Sequence, residues 1–281
     1  MTRLDAELVR RGLARSRRRA AELVEAGRVL VDGSPAAKPA RAVAPTAELT
    51  VAPGDEYVSR GAHKLLGAFD DLAALGTPVV VASARCLDAG ASTGGFTQVL
   101  LEAGAAHVDA VDVGHGQAAP EIAADPRVTV REGVNVRHLV PADLTGPPDL
   151  VVADLSFISL TLVLDALIGV TAPGAHLLVL VKPQFEVGRE RLGADGVVTS
   201  DALRAEAVLA VADAVPQHVR IDAVLPSRLP GPAGNREYFL HLVVTDDASR
   251  DPRDQLVAAV DAAVAGRAAL VRPMRTPRRD S

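Results

Sequence analysis

Asp88, Asp112, Asp154 and Lys182 each close an apolar run, Asn135 follows another, and Glu237 opens the last. Polar groups at strand ends matter because ligands of parallel sheets lie off the carboxyl edge. The richest stretch is Leu87-Asp-Ala-Gly-Ala-Ser-Thr-Gly-Gly-Phe96, between an apolar run and a helical pattern. Glycine turns the chain sharply and lets a ligand lie against the backbone, and the helix start offers unpaired N–H groups. A dinucleotide turn needs Gly-x-Gly-x-x-Gly. Here the spacing is Asp88-x-Gly90-x-x-x-Gly94-Gly95. An acid at the strand tip suits a ligand with an ammonium group and no phosphate to cradle, and S-adenosylmethionine fits that description. Asp88, Gly90, Ser92, Gly94, Gly95 and Phe96 are therefore candidate cofactor residues. Asp112, about 20 residues past the turn, is placed to accept from ribose hydroxyls, and Asn135 to reach the adenine end. A plain strand–turn–helix corner is the alternative reading of the turn by itself.

The elements that must position these residues alternate. Strands are expected at 79–88, 107–112, 127–131, 149–154 and 175–182, with helices near 95–103, 117–124 and 157–169. This is an α/β fold with a parallel, doubly wound, Rossmann-like sheet. A helix at 200–214, strands at 219–225 and 237–244 joined by a Pro/Gly-rich loop, and a helix over 251–269 complete it. An amphipathic helix carrying Leu65, Leu66, Phe69 and Leu72 precedes the sheet, with Lys64 at its start. Taken alone, Lys64 and Glu237 read as surface residues.

Of 281 residues, 48% are apolar, ample for a core. The one cysteine, Cys86, excludes an internal disulfide and reads as a buried thiol. No Cys/His spacing suggests a metal. No signal-peptide pattern opens the chain and no run reaches the length of a membrane span, so a cytoplasmic location is expected. Residues 1–41 carry ten Arg/Lys and five Asp/Glu, a net of +5, and the remainder a net of −10. A basic front module on an acidic body points to a polyanionic partner.

The front reads as two short helices within 3–26, then strands at 28–33 and 48–51, a small α+β module. Ser16 is a candidate cap for the second helix, at whose start Arg17, Arg18 and Arg19 cluster. The pattern Arg3-Leu-Asp5, Leu13-x-x-Ser16-Arg17, Ala20 and Gly27-x-Val29-x-Val31-Asp-Gly33 resembles the S-four-type RNA-binding domain. That resemblance implies contacts to structured RNA by shape and phosphate, with Arg3, Arg15, Arg17, Arg18, Arg19 and Arg60 as candidates. The expected domains are 1–52, a linker 53–59, a catalytic domain 60–270 and a basic tail 271–281.

Five further segments resemble one family. Ser59-Arg-Gly-Ala-His-Lys64, the Leu87–Phe96 turn, Asp154-Leu-Ser-Phe-Ile-Ser159, Lys182-Pro-Gln-Phe-Glu186 and Pro230-Gly-Pro-x-Gly-Asn235-x-Glu-Tyr-Phe239 are similar to the TlyA (hemolysin A) family. Its members join an S-four-type domain to an FtsJ-like methyltransferase. The resemblance implies ribose 2′-O-methylation of cytidine in ribosomal RNA of the small or large subunit, with S-adenosylmethionine as cofactor. It also implies a Lys-Asp-Lys-Glu tetrad, which falls on Lys64, Asp154, Lys182 and Glu237. Some members carry Arg-x-Trp-Val before the serine; here Asp55-Glu56-Tyr57-Val58 stands there, without the arginine and with Tyr57 as the aromatic. Lys182 is expected at the 2′-oxygen, as base or as stabiliser of a developing alkoxide. A non-catalytic ribosome-assembly factor and a membrane-active haemolysin are the alternative functions, and the sequence leaves the oligomeric state open.

Overall fold

The computed structural model describes residues 2–14, 16–25, 27–51, 57–193, 195–231, 233–245 and 252–272. The chain divides into two compact units, Met1–Glu56 and Tyr57–Ser281.

The first unit contains β1 (Thr2–Arg3), α1 (Leu4–Arg10), α2 (Arg17–Glu25), β2 (Val29–Val31), β3 (Ser34–Pro35), β4 (Ala42–Val43) and β5 (Leu49–Val51). β2 pairs antiparallel with β3 and β5, and β1 with β4. Leu4, Leu8, Leu23, Val24, Val29 and Val31 anchor a core that this unit closes by itself. Two acids of α1 are buried beside arginines. Asp5 meets Arg3 at 2.9 Å and Arg17 at 3.1 Å; Glu7 meets Arg10 at 2.6 Å and Arg11 at 2.7 Å. Hydrogen bonds from Arg3 hold the Asp5 carboxyl well below its usual range, and those from Arg10 and Arg11 bring Glu7 to about 2.

The second unit opens on α3 (Gly61–Ala74). It continues through β6 (Arg85–Ala89), α4 (Gly95–Glu102), β7 (His107–Val111), α5 (Pro120–Ala123), β8 (Val128–Arg131) and β9 (Leu150–Ala153). Next come α6 (Leu164–Gly169), β10 (His176–Val181), α7 (Pro183–Glu186), α8 (Asp201–Asp213), β11 (Val219–Pro226), β12 (Tyr238–Val244), α9 (Arg253–Val264) and β13 (Ala269–Leu270). The sheet runs β13-β11-β12-β10-β9-β6-β7-β8. Strands β8, β7, β6, β9 and β10 are parallel, and β12 lies antiparallel between β10 and β11. Order reverses between β6 and β9, because the chain leaves β6 for β7 and β8 on one side and returns to β9 on the other. That switch point opens a crevice at the carboxyl edge.

Continuous apolar runs such as Leu150–Ala153 and Leu177–Val181 are buried, as strands covered on both faces must be. Alternate residues serve opposite faces. Leu87, Val151 and Val179 pack with α6, α8 and α9; Cys86, Val152 and Leu178 pack with α3 and α4. Burial pushes the Cys86 thiol up to about 12, as for an inert structural thiol.

Several boundaries differ from expectation. The run 79–88 is not all strand. Val80 is exposed, and the chain turns at Ser83, with a φ of +64°, before β6 begins at Arg85. The helix expected at 157–169 is broken into a 3-10 turn, Leu160–Leu162, and α6. α5 starts only at Pro120, where proline suits a helix's first turn. α9 stops at Val264, and past Gly266 the chain adds β13 to the sheet edge. Residues 57–59, expected in a linker, belong to the second unit: the Val58 N–H donates to Gln98 and the Tyr57 hydroxyl to Glu102. The rest of that linker, 53–56, lies outside the described residues.

Candidate active site

The crevice is built first from the turn after β6. Gly90 adopts a φ of +86°, and a β-carbon there would stand 2.7 Å from the Asp154 carbonyl oxygen. Only glycine lets the turn lie so close to the end of β9. Gly94, at φ +92°, precedes α4 and has no side chain to cap it. Asp88 does this from the preceding strand: its Oδ2 accepts from the Thr97 N–H at 2.9 Å and the Thr97 hydroxyl at 2.7 Å. Thr97 is the third residue of α4, where an N-cap acceptor normally binds.

The structure thus gives Asp88 a place inside the turn. The side chain is fully enclosed and braces the turn from below. Its other oxygen, Oδ1, has no partner among the described residues. Burial pushes the Asp88 carboxyl up to about 7, against the pull of the two Thr97 bonds. Phe96 is enclosed as well. Its ring is buried and packs on Phe239 with centroids 6.3 Å apart. A side chain at Gly95 would collide with the Ser59 hydroxyl, which makes that glycine a packing position.

Asp112 stands half-buried at the end of β7. One oxygen accepts from the Ser92 N–H at 2.8 Å and the other from the Gly114 N–H at 2.7 Å. Each carboxylate oxygen can accept more than one bond, so capacity for ribose hydroxyls remains. Ser92, exposed with a φ of +48°, also donates its hydroxyl to Gln117 at 3.1 Å. Asn135 is exposed, and its oxygen caps the 3-10 turn Val136–His138 by accepting from the Arg137 N–H. The half-exposed turn, the approach that excludes a β-carbon at Gly90 and the two-oxygen acceptor at Asp112 fit an adenosyl group. A buried acid beneath the turn fits a cationic end.

Four side chains from four elements meet beside that turn. Lys64 enters from the first turn of α3, Asp154 from the end of β9, Lys182 from the end of β10 and Glu237 from just before β12. Lys64 Nζ donates to Glu237 Oε2 at 2.6 Å and to Asp154 Oδ2 at 3.5 Å. Lys182 Nζ lies 2.6 Å from Asp154 Oδ1 and donates to the Ser156 hydroxyl at 2.8 Å. The contacts form one line, Glu237–Lys64–Asp154–Lys182, of alternating charge. Lys64, Lys182 and Glu237 are 5%, 7% and 2% exposed, a burial that charges tolerate only when paired. Burial pushes the Asp154 carboxyl up, yet the Lys182 and Lys64 ammoniums together hold it below its usual range. Glu237 and Lys64, bland in the sequence, are thus the buried end of the cluster.

Other residues at the site carried no distinguishing signal, although most lie inside the quoted segments. Ser156 contacts Lys182. Phe157 is 91% exposed with a φ of +65°, its ring 5.2 Å from that of Phe185. Glu186 accepts from the Ser159 hydroxyl at 2.5 Å and the Leu160 N–H at 2.9 Å. The Asn235 side chain ties the loop before β12 to the Gly-rich loop, accepting from the Val198 N–H and donating to the Gly196 carbonyl.

In the first unit, Arg3 and Arg17 are held on Asp5 yet remain more than half exposed, and Arg18 is exposed. In the second unit Arg60 is exposed and donates to the Pro230 carbonyl at 3.0 Å. Arg15 and the side chain of Arg19 lie outside the described residues. Among the described residues no group of three or more acidic, histidine or cysteine side chains could hold a metal, and no helix is long and apolar enough to cross a membrane.

Comparison with known proteins matches residues 57–243 to the FtsJ-like methyltransferase model and residues 2–49 to the S4 domain. The chain is 56% identical over 248 residues to the 16S/23S rRNA (cytidine-2′-O)-methyltransferase TlyA of Mycobacterium tuberculosis, covering 87% of this chain and 91% of that protein. It is 32% identical to Hemolysin A of Brachyspira hyodysenteriae, covering 86% of this chain and all of that one. Among solved structures, a hemolysin-named protein of Streptococcus thermophilus superposes with a TM-score of 0.72 at 36% identity, over 93% of this chain and 94% of that one. With both domains matched and most of its length aligned, the chain belongs to the TlyA family, an S4 domain joined to an FtsJ-like methyltransferase.

Proposed function

We propose that this chain methylates the ribose 2′-hydroxyl of a cytidine in ribosomal RNA, using S-adenosylmethionine. The observation that carries this is the buried Glu237–Lys64–Asp154–Lys182 line beside the glycine turn. The name of the 56%-identical relative supports the cytidine 2′-oxygen as the target and makes both ribosomal subunits the substrates to test.

S-adenosylmethionine, when bound, supplies an activated methyl group on a sulfonium. Gly90, Ser92, Gly94, Asp112 and Asn135 would hold it, with the Asp88 carboxyl below the turn favouring its cationic end. A ribose hydroxyl is a weak nucleophile, so the chain must orient it and stabilise the charge that grows on its oxygen; fixed geometry and fixed dipoles each lower such a barrier. Lys182 does both. Its ammonium ends the line of pairs and is flanked by Asp154 and Ser156, which suits donation to a developing alkoxide better than removal of a proton. As the 2′-oxygen takes the methyl group the methyl–sulfur bond would break, its electron pair remaining on sulfur as a neutral thioether, and the hydroxyl proton would pass to water. Asp154 orients Lys182 and shares its charge with Lys64, and Glu237 anchors Lys64. The exposed Phe157 ring offers a face on which an unstacked base can lie, as single-stranded RNA readers use aromatics. In the first unit, Arg3, Arg17 and Arg18 would meet phosphates, together with Arg15 and Arg19, and Arg60 would do so from the second. A guanidinium bonded to Asp5 on one edge keeps further N–H donors.

The test is methyl transfer from labelled S-adenosylmethionine to separated ribosomal subunits lacking the modification, with mapping of alkali-resistant linkages. Label at one ribose, abolished by Lys182→Ala, is the expected result. Cofactor binding with no transfer to any ribosomal RNA would overturn the reading and favour an assembly factor.

A further inference from the structure

The loop that follows Asp154 makes contacts with no place in the tetrad. Residues 154–159 have no regular hydrogen-bonded structure, yet Ser156 within it sits 2.8 Å from Lys182 Nζ. An ammonium has three N–H bonds. Asp154 Oδ1 lies 2.6 Å away as its ion-pair partner, and the Ser156 hydroxyl accepts the hydrogen bond that sets the direction of the ammonium. The ammonium keeps N–H capacity for an approaching oxygen. Without Ser156 the ammonium would pivot about Asp154.

A second set of contacts explains why an exposed loop serine is held so closely. α7 follows Lys182 directly, and its last residue, Glu186, grips the loop through the Ser159 hydroxyl at 2.5 Å and the Leu160 N–H at 2.9 Å. The Phe157 ring lies on Phe185 of the same helix. Phe157 itself holds a φ of +65°. An aromatic residue keeps that conformation only where its surroundings impose it. The loop is therefore clasped to the turn that carries Lys182, so Ser156 and Lys182 share one rigid support.

We infer that Ser156 is a positioning residue for Lys182, and that the Glu186–Ser159 clasp acts on catalysis through it. The inference rests on the methyl-transfer reading. Ser156 fixes the direction of the ammonium, and Glu186 fixes Ser156.

The experiment measures kcat and KM for subunit methylation, cofactor affinity by calorimetry, and thermal midpoint, for Ser156→Ala, Ser156→Thr, Glu186→Ala and the Ser156→Ala/Glu186→Ala double variant, with Lys182→Ala alongside. Losing one hydrogen bond to a charged group predicts a roughly tenfold fall in kcat for Ser156→Ala. KM, cofactor affinity and thermal midpoint stay at wild-type values, and Ser156→Thr, which keeps a hydroxyl, restores turnover. Glu186→Ala lowers kcat as well, and the double variant is no worse than the poorer single, as for two residues acting on one contact. Wild-type kcat in Ser156→Ala, or losses that multiply in the double variant, would overturn the inference while leaving the parent reading intact. Wild-type turnover in Lys182→Ala would overturn the role given to Lys182 and this inference with it, whereas no transfer by the unaltered chain would overturn the parent reading.

Discussion

Glu237 and Lys64 show what single residues contribute at this site. Their side chains are 1% and 6% exposed and meet at 2.6 Å. Removing one partner of such a pair leaves a buried charge uncompensated, a loss of about 3–5 kcal/mol. Replacing both by apolar groups of similar size is often close to neutral. Lys64→Met is therefore expected to lower stability strongly, and Lys64→Met/Glu237→Leu to recover most of it while remaining inactive. Urea unfolding and the methylation assay together check this. Recovery of activity with stability would mean that the pair serves only the fold.

The glycine turn is the element on which both halves of the site depend. It passes so close to the end of β9 that Gly90 abuts the Asp154 backbone, and Asp88 caps α4 from within β6. Gly90→Ala would impose a left-handed conformation on a side-chain-bearing residue and press its β-carbon on a carbonyl that cannot swing aside. The expected cost is about 2 kcal/mol in stability, with cofactor affinity and turnover falling together because the turn and Asp154 shift as one. Calorimetric titration of the variant with cofactor is the check; wild-type affinity would show that the turn does not line the cofactor site.

Across the whole second unit, two buried titrations oppose each other. Asp88 titrates near 7 in the fold, above its unfolded value, so its contribution is complete in acid and is lost as pH rises through about 7. His241 on β12 is 1% exposed and hydrogen-bonded to His176 at 2.8 Å. Burial lowers it to about 4, so its contribution is complete above its unfolded value and is lost as pH falls towards 4. Between about pH 4 and 6.5 the two slopes have opposite sign. Asp88→Asn is expected to leave a stability that rises with pH across that window, and His241→Gln one that falls. Denaturant midpoints at several pH values would show it, and unchanged slopes in both variants would refute it.

Much of this was legible in the chain alone. Strand runs, the glycine turn and the residues closing β7, β9 and β10 follow from local patterns, because period, apolarity and turn chemistry are written in neighbouring residues. The basic front and its separate core follow from composition and spacing for the same reason. Lys64 and Glu237 were named only by resemblance, since their roles depend on partners 90 to 173 positions away. Asp88 was legible as a strand-tip acid, but not as an enclosed cap for α4. Its direction depends on the path of the turn, and Gly94 cannot supply the cap. Ser156 and Glu186 follow the same rule. Local pattern determined which residues stand at the carboxyl edge; tertiary packing decided which way each one faces, because burial and charge pairing are settled between elements rather than along them.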